Sequence, residues 1–332
     1  MKITRSDVIS AYRIFLNREP ETEQAISAWL DQDSVSEMRA VFLRSAEYRE
    51  REKLGSTPSM SGLEARMRSD IDSDIDKLTL AKVFEKVQKV WMQLGKDDPL
   101  WAVLSLEKYR NINRSEALQD FYLTGAGDAE LIEKTLLRNG ISLPENQTVV
   151  ELGCGVGRVT SHLARKYSNV IGVDISKSMI DEAASHFSTQ GIANTSFKLI
   201  SRVEDFEQLP KCDLLFSLIV LQHSPPPVIS MAIRGAIKCL NMGGVALFQV
   251  PTYIPNYEFI ASDYISSPTE ERQLHPSKSY EMHAIRQCDL MKIIDESGGR
   301  VLEIYEDDKM GPHYPSSTSN TLLVEKIRSS SV

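Results

Sequence analysis

Two carboxylates flank a run of glycines in this chain, in an order that suits recognition of a nucleoside. The segment Val149-Val150-Glu151-Leu152-Gly153-Cys154-Gly155-Val156-Gly157-Arg158-Val159-Thr160 reads as a buried strand, a tight turn and a helix start. A strand that turns at once into a helix needs positive φ and close backbone approach, and glycine supplies both. At the carboxyl edge of a parallel sheet, such a turn lies where ligands bind. Asp174 ends the next strand, Val170-Ile171-Gly172-Val173-Asp174, where a carboxylate can accept both ribose hydroxyls. The glycines follow G-x-G-x-G, not the G-x-G-x-x-G of dinucleotide sites, and Arg158 takes the place of the third glycine. Glu151 would repel a pyrophosphate but suits an ammonium group. A nucleoside with a cationic tail and no phosphate fits these residues better than NAD does.

The arrangement resembles the class I methyltransferases that bind S-adenosyl-L-methionine, from about Asp128 to Lys326. Glu151, Gly153, Gly155 and Gly157 match the first motif of that family, and Asp174 matches its ribose-binding acid. Glu204-Asp205 resembles the acid at the adenine edge. Cys212-Asp213-Leu214-Leu215-Phe216-Ser217 resembles the fourth strand, which faces the methyl-transfer centre, and Leu240-Asn241-Met242-Gly243-Gly244 the turn before the fifth. The resemblance implies a cofactor site that also includes Arg158, Ile175, Met179 and Ser217. Tyr122 either hydrogen-bonds the methionine carboxylate or packs.

The implied fold is α/β: a Rossmann-like, seven-stranded methyltransferase sheet with helices on both faces, preceded by a small all-α domain. Strands are expected near 148–152, 169–174, 195–200, 212–218, 244–251, 300–306 and 319–326, alternating with helices. Ser176 is placed to cap a helix over Lys177–Thr189, and Pro225-Pro226-Pro227 opens another. Right-handed crossovers would bring the strand-to-helix loops to one edge.

Residues 1–54 form a unit of their own. Ser6 can cap a helix carrying Val8, Ile9, Tyr12, Phe15 and Leu16. A second helix presents Ile26, Trp29 and Leu30, and a third presents Met38, Val41 and Phe42. The strings AYRIFLNREP and FLRSAEY resemble a small helical domain found in bacterial proteins beside glycan-processing enzymes. That resemblance implies a protein partner, or a tether to a glycan-assembly complex. Residues 55–76 read as a polar linker. Residues 77–127 are a helical prelude, with an amphipathic helix from Leu78 to Leu94, and 128–328 the methyltransferase domain.

Methyl transfer from a sulfonium requires the acceptor atom to be held in line. A hydroxyl acceptor also profits from a base, for which histidine is the usual choice. His162 and His186 fall inside expected helices and read as surface residues. His223, His275, His283 and His313 fall in segments destined for the carboxyl edge. His223 follows the fourth strand and His283 sits in the insert 252–285; these two are the candidate catalytic residues, each with a structural alternative. The insert is too long for a plain connector and reads as a lid. Its Tyr253, Tyr257 and Tyr264 could stack on a sugar or pack within the lid. Arg158 and Arg286 could pair with an anionic acceptor. No Asp/His cluster has metal-site spacing.

The formal charge of −8 argues against a general nucleic-acid binder. The four cysteines show no paired framework and read as reduced thiols of a cytoplasmic protein. No apolar run could span a bilayer, so any membrane association would be peripheral. The expected function is O-methylation of a hydroxyl on a bacterial glycan, sugar or related metabolite. The alternatives are an N-methyltransferase of a small amine or protein, and a silent cofactor-binding module that recruits a partner.

Overall fold

Among the described residues, seven strands join in one sheet: β1 (Thr148–Leu152), β2 (Asn169–Asp174), β3 (Thr195–Leu199), β4 (Cys212–Ser217), β5 (Leu240–Tyr253), β6 (Gly299–Asp307) and β7 (Thr318–Lys326). Their order is β3-β2-β1-β4-β5-β7-β6. The first five strands pair in parallel, and β7 runs antiparallel between β5 and β6. The computed structural model describes residues 3–16, 18–30, 34–47, 71–110, 114–267, 281–311, 314 and 316–329. The chain divides into two units, Met1–Ser61 and Gly62–Val332.

In the sheet, alternate residues serve opposite faces. Val150, Leu152, Leu215 and Phe248 join one core with Val83, Phe84 and Val87 of helix α4 (Lys77–Asp97) and Ile229 and Ile233 of α10 (Pro226–Cys239). Val149, Val170, Leu214 and Leu247 join a second core with Ile132 and Leu136 of α7 (Gly125–Arg138). Both faces are therefore covered, which is why β1 reads as a nearly unbroken apolar run. Each fully buried Val, Leu or Phe contributes about 1.5–3 kcal/mol relative to exposure. The strand order reverses between β1 and β4, and the carboxyl ends of these two strands border the crevice where such sheets bind ligands.

The expected strands form close to their predicted ends, with one informative difference. β5 begins at Leu240 rather than near 244, because Cys212 pairs with Leu240 and Leu214 with Val245. The residues between are accommodated as a bulge around Gly243 at φ +77°. The helix of the prelude starts one residue earlier than predicted, where Asp76 caps it and accepts from Leu78 N–H and Thr79 N–H at 3.0 and 3.1 Å, and it runs three residues further at its other end, to Asp97. Ser176 stands at the N-cap of α9 (Lys177–Thr189), yet its hydroxyl donates to the Trp91 carbonyl at 3.1 Å and leaves the helix end alone.

Of the expected linker, residues 55–70 lie outside the described residues. Its end is fixed to the sheet domain rather than free: Ile71 bridges Phe259, and the Asp72 carboxylate accepts from Ala261 N–H at 2.8 Å. Of the insert 252–285, expected as a lid, Ala261–Ser266 is a short helix and Ile285 N–H donates to the Pro251 carbonyl, while residues 268–280, His275 among them, lie outside the described set.

The N-terminal unit packs α1 (Arg5–Leu16), α2 (Glu23–Leu30) and α3 (Val35–Arg44) around Val8, Ile26, Met38 and Phe42. Phe42 meets Tyr12 edge-on at 5.0 Å and stacks with Trp29 at 5.2 Å. α1 starts one residue before Ser6, on a box in which Thr4 N–H and Asp7 N–H each donate to the other's side chain. Val41, expected in the core, faces solvent.

Candidate active site

The glycine turn takes the shape its residues predict. Gly153, Gly155 and Gly157 have φ of +77°, +54° and +85°. Gly153 N–H and Cys154 N–H both donate to the Val173 carbonyl at 2.7 and 3.1 Å, which locks the turn to the end of β2. A Cβ on Gly153 would stand 2.4 Å from the Val220 methyls, and one on Gly157 2.6 Å from the Phe187 ring. Close packing and a left-handed backbone thus both demand glycine at these two positions.

Both predicted acids flank this turn. Asp174 accepts from Gly155 N–H and Ser176 N–H, each at 2.8 Å, so its carboxylate is aimed by backbone donors. Burial nevertheless pushes its carboxyl up from the ordinary range. Glu151 is buried, and that burial pushes its carboxyl up to about 8, against the hydroxyl donated by Thr160 and the charge of Arg158. Arg158 is itself paired to Asp128 at 2.6 Å, while its buried Nε has no partner among the described residues. The site therefore holds a carboxyl that is poorly solvated and short of a full positive partner. An ammonium group would complete it.

A cavity of about 750 Å³ opens between the carboxyl ends of β1, β2 and β4. Glu151, Gly153, Gly155, Arg158, Asp174, Ile175, Met179 and His223 all line it. Gln88 of α4 holds this edge together by donating to the carbonyls of Ile175 and Ile200 at 3.0 and 2.9 Å.

Several expected site residues stand behind the wall instead. The Tyr122 hydroxyl donates to the Val156 carbonyl at 2.8 Å and its ring stacks on His186 at 3.9 Å, so it braces the glycine turn from outside. Gly157 packs against Phe187 and does not line the cavity. Asp205 caps its own 3-10 turn, accepting from Ser201 N–H and Arg202 N–H at 2.8 and 3.0 Å, and Glu204 faces solvent. Phe206 lines the cavity from that turn. Ser217 is sealed within β4 and its hydroxyl has no partner among the described residues.

His283 is also behind the wall. It is buried beneath the rings of Tyr257, Phe259 and Tyr264 at 5.8–6.0 Å, with the Tyr257 hydroxyl 2.7 Å from Nδ1 and Glu281 3.4 Å from Nε2. Its neighbour Met282 reaches the cavity. Tyr253 and Tyr264 are core residues of the insert, not a sugar platform. Arg286 pairs with Asp289 at 2.7 Å. His162, expected on the surface, is buried with Nε2 2.7 Å from the Tyr122 carbonyl, and His186 is half-buried under Tyr122. His313 lies outside the described residues.

His223 lines the cavity from the loop after β4. Burial pushes its imidazole down to about 4, with the Glu281 carbonyl opposing and His283 assisting. The ring is therefore neutral at pH 7. Nδ1 lies 3.2 Å from the Glu281 carbonyl, an obligate acceptor, so Nδ1 carries the hydrogen and Nε2 the lone pair. Trp91 stands against the ring at 5.5 Å. Trp91, Leu104, Leu218, Val220, Met310 and Tyr314 make this side of the cavity largely apolar. Sequence reasoning passed over Trp91, Gln222 and Gln249. The one signal for Gln249 was an amide inside the apolar run Val245–Val250.

Residues 149–244 match a family model described as a methyltransferase domain. A ubiquinone biosynthesis O-methyltransferase from Acinetobacter baylyi is 24% identical over 185 residues, spanning 54% of this chain and 72% of that protein. The protein of the same name from Coxiella burnetii is 25% identical over 253 residues, spanning 73% and 88%. Among solved structures, magnesium protoporphyrin IX methyltransferase from Synechocystis with bound SAH is similar, with a TM-score of 0.48 at 20% identity over 73% of this chain and 99% of that one. The chain thus carries a methyltransferase domain and is an enzyme that uses S-adenosyl-L-methionine.

Proposed function

We propose that this enzyme methylates a hydroxyl on a small acceptor with an apolar, ring-like body, using His223 as the general base. The observation that carries this reading is a neutral imidazole in the cavity wall, with Nδ1–H held by the Glu281 carbonyl and Nε2 left as the basic atom. The similar proteins of Acinetobacter baylyi and Coxiella burnetii are named O-methyltransferases, which agrees with a hydroxyl acceptor. A glycan acceptor is less suited to the apolar wall of Trp91, Leu218, Val220 and Met310. Sugar hydroxyls would lose water there without gaining partners.

When bound, S-adenosyl-L-methionine supplies a methyl carbon activated by its sulfonium. Glu151 would hold the ammonium group and Asp174 the ribose hydroxyls, with Ile175, Met179 and Phe206 packing on the adenine. Gly153 and Gly155 let the backbone approach. With the cofactor so held, the acceptor oxygen would take the methyl carbon and the sulfur would keep the carbon–sulfur electron pair. The hydroxyl proton goes to His223 Nε2. Since that proton becomes strongly acidic as the new bond forms, a weakly basic, neutral imidazole suffices.

Radiolabelled methyl transfer to a panel of substituted catechols and of free sugars tests the reading. It expects product with the phenolic acceptors, and a drop in kcat of roughly a hundredfold or more in His223→Ala. Transfer to sugars alone, or full turnover by His223→Ala, would contradict it.

A further inference from the structure

Gln249 lies in β5 with no exposed surface, inside the apolar run Val245–Val250. A buried amide is tolerated only when its polar atoms are satisfied. Gln249 satisfies all of them. Its Oε1 accepts from Ile219 N–H at 3.0 Å, and its Nε2 donates to Gln222 Oε1 at 3.1 Å and to Ser319 Oγ at 2.6 Å.

The partners are not incidental. Ile219 has φ +58°, which a β-branched side chain rarely adopts. It lies in the loop from Leu218 to Ser224 that walls the cavity, and its neighbour Val220 packs on the Gly153 turn. Strain at such a place persists only where surrounding bonds hold it. Gln222, also buried, places its Nε2 3.2 Å from His223 Nε2, and its carbonyl accepts from His283 N–H at 2.8 Å.

Each link in this series has a fixed direction. Ile219 N–H can only donate, so Gln249 presents Oε1 to it and Nε2 to Gln222. Gln222 then accepts through Oε1 and turns its own Nε2–H toward His223 Nε2, which must be an acceptor. At the other end the Glu281 carbonyl can only accept, so His223 Nδ1 must donate. Both ends of the series demand the same tautomer. The Gln222–His223 contact is long, so an entering hydroxyl can take its place at Nε2.

We propose that Gln249 is a positioning residue for methyl transfer: through Gln222 it sets the tautomer of His223, and through Ile219 N–H it holds the loop that aims that ring into the cavity. The proposal rests on the reading of His223 as the base, and it predicts a signature that needs no acceptor. Long-range proton–nitrogen spectra of the full-length protein, labelled at histidine, report the tautomer of each ring. The His223 signals are assigned by their loss in His223→Ala.

In the wild type His223 should be a single Nδ1–H tautomer. Gln249→Leu and Gln222→Leu should turn it into a mixture in protein that still unfolds in one cooperative thermal transition. An unchanged single tautomer in a folded Gln249→Leu would overturn the proposal. Should neither variant fold, a mixed or Nε2–H tautomer in the wild type would overturn it equally. Failure of the underlying reading is distinguishable: full turnover by His223→Ala removes the base but leaves the tautomer result standing.

Discussion

The two halves of the cavity are built in different ways. The cofactor half comes mainly from one stretch, β1 through β2, with Met179 and Phe206 added from beyond it, and most of its geometry is backbone: three glycines at positive φ, two amides on the Val173 carbonyl and two more on Asp174. The acceptor half is assembled from side chains of separate segments: Trp91 of α4, the loop after β4, Met282 of the insert, and Met310 and Tyr314 after β6. A backbone site tolerates little change in residue type, and so it leaves a pattern. A wall of apolar side chains tolerates many exchanges of similar volume.

This contrast predicts unequal responses to mutation. The largest effect should follow Gly153→Val, where Cβ meets the Val220 methyls and φ becomes unfavourable. Calorimetry should find no S-adenosylhomocysteine binding, and thermal unfolding should show a loss of about 2 kcal/mol or more. Retention of tight binding would break the claim that the first half depends on its backbone. Next, Met310→Leu in the acceptor wall should cost less than about 1.5 kcal/mol and leave cofactor affinity unchanged, altering only the KM for acceptor. A large loss of cofactor binding there would mean that the two halves are not separable.

Glu151 gives the comparison a pH dependence. Its carboxyl stands at about 8 in the folded protein against an ordinary 4.5. The folded state therefore holds the extra proton, so this group favours folding most below about pH 4.5 and loses that contribution as the pH rises through about 8. An ammonium ligand favours the carboxylate. Binding near pH 7 should then release close to one proton, measured as the dependence of binding heat on buffer ionisation, and affinity should rise toward pH 8. Glu151→Gln should abolish the release; an equal release in that variant would assign the proton elsewhere. The smallest effect is expected from Tyr122→Phe. It removes one bond to the Val156 carbonyl from behind the turn, which should cost about 1 kcal/mol in stability and a few-fold in cofactor affinity.

The same contrast explains what could be read from the sequence. Alternation of apolar strands with helices and the position of Asp174 were enough to place β1 to β7 nearly at their true ends, because those signals are local. Tyr122 and Asp205 do not line the cavity, for a shared reason. Each stands near the site in sequence order, but its polar group is spent on backbone, the Val156 carbonyl in one case and the Ser201 and Arg202 amides in the other. No spacing rule reveals such a partner. Gln249 and Trp91 were passed over because their roles depend on contacts with Gln222 and His223, far along the chain.

Titration calorimetry with S-adenosyl-L-methionine on wild type and Asp174→Ala tests the central claim most directly. One-to-one binding, weakened by roughly a hundredfold or more when the charged acceptor of two ribose hydrogen bonds is removed, is the predicted result. Wild-type protein that does not bind, or a variant that binds equally well, would contradict it.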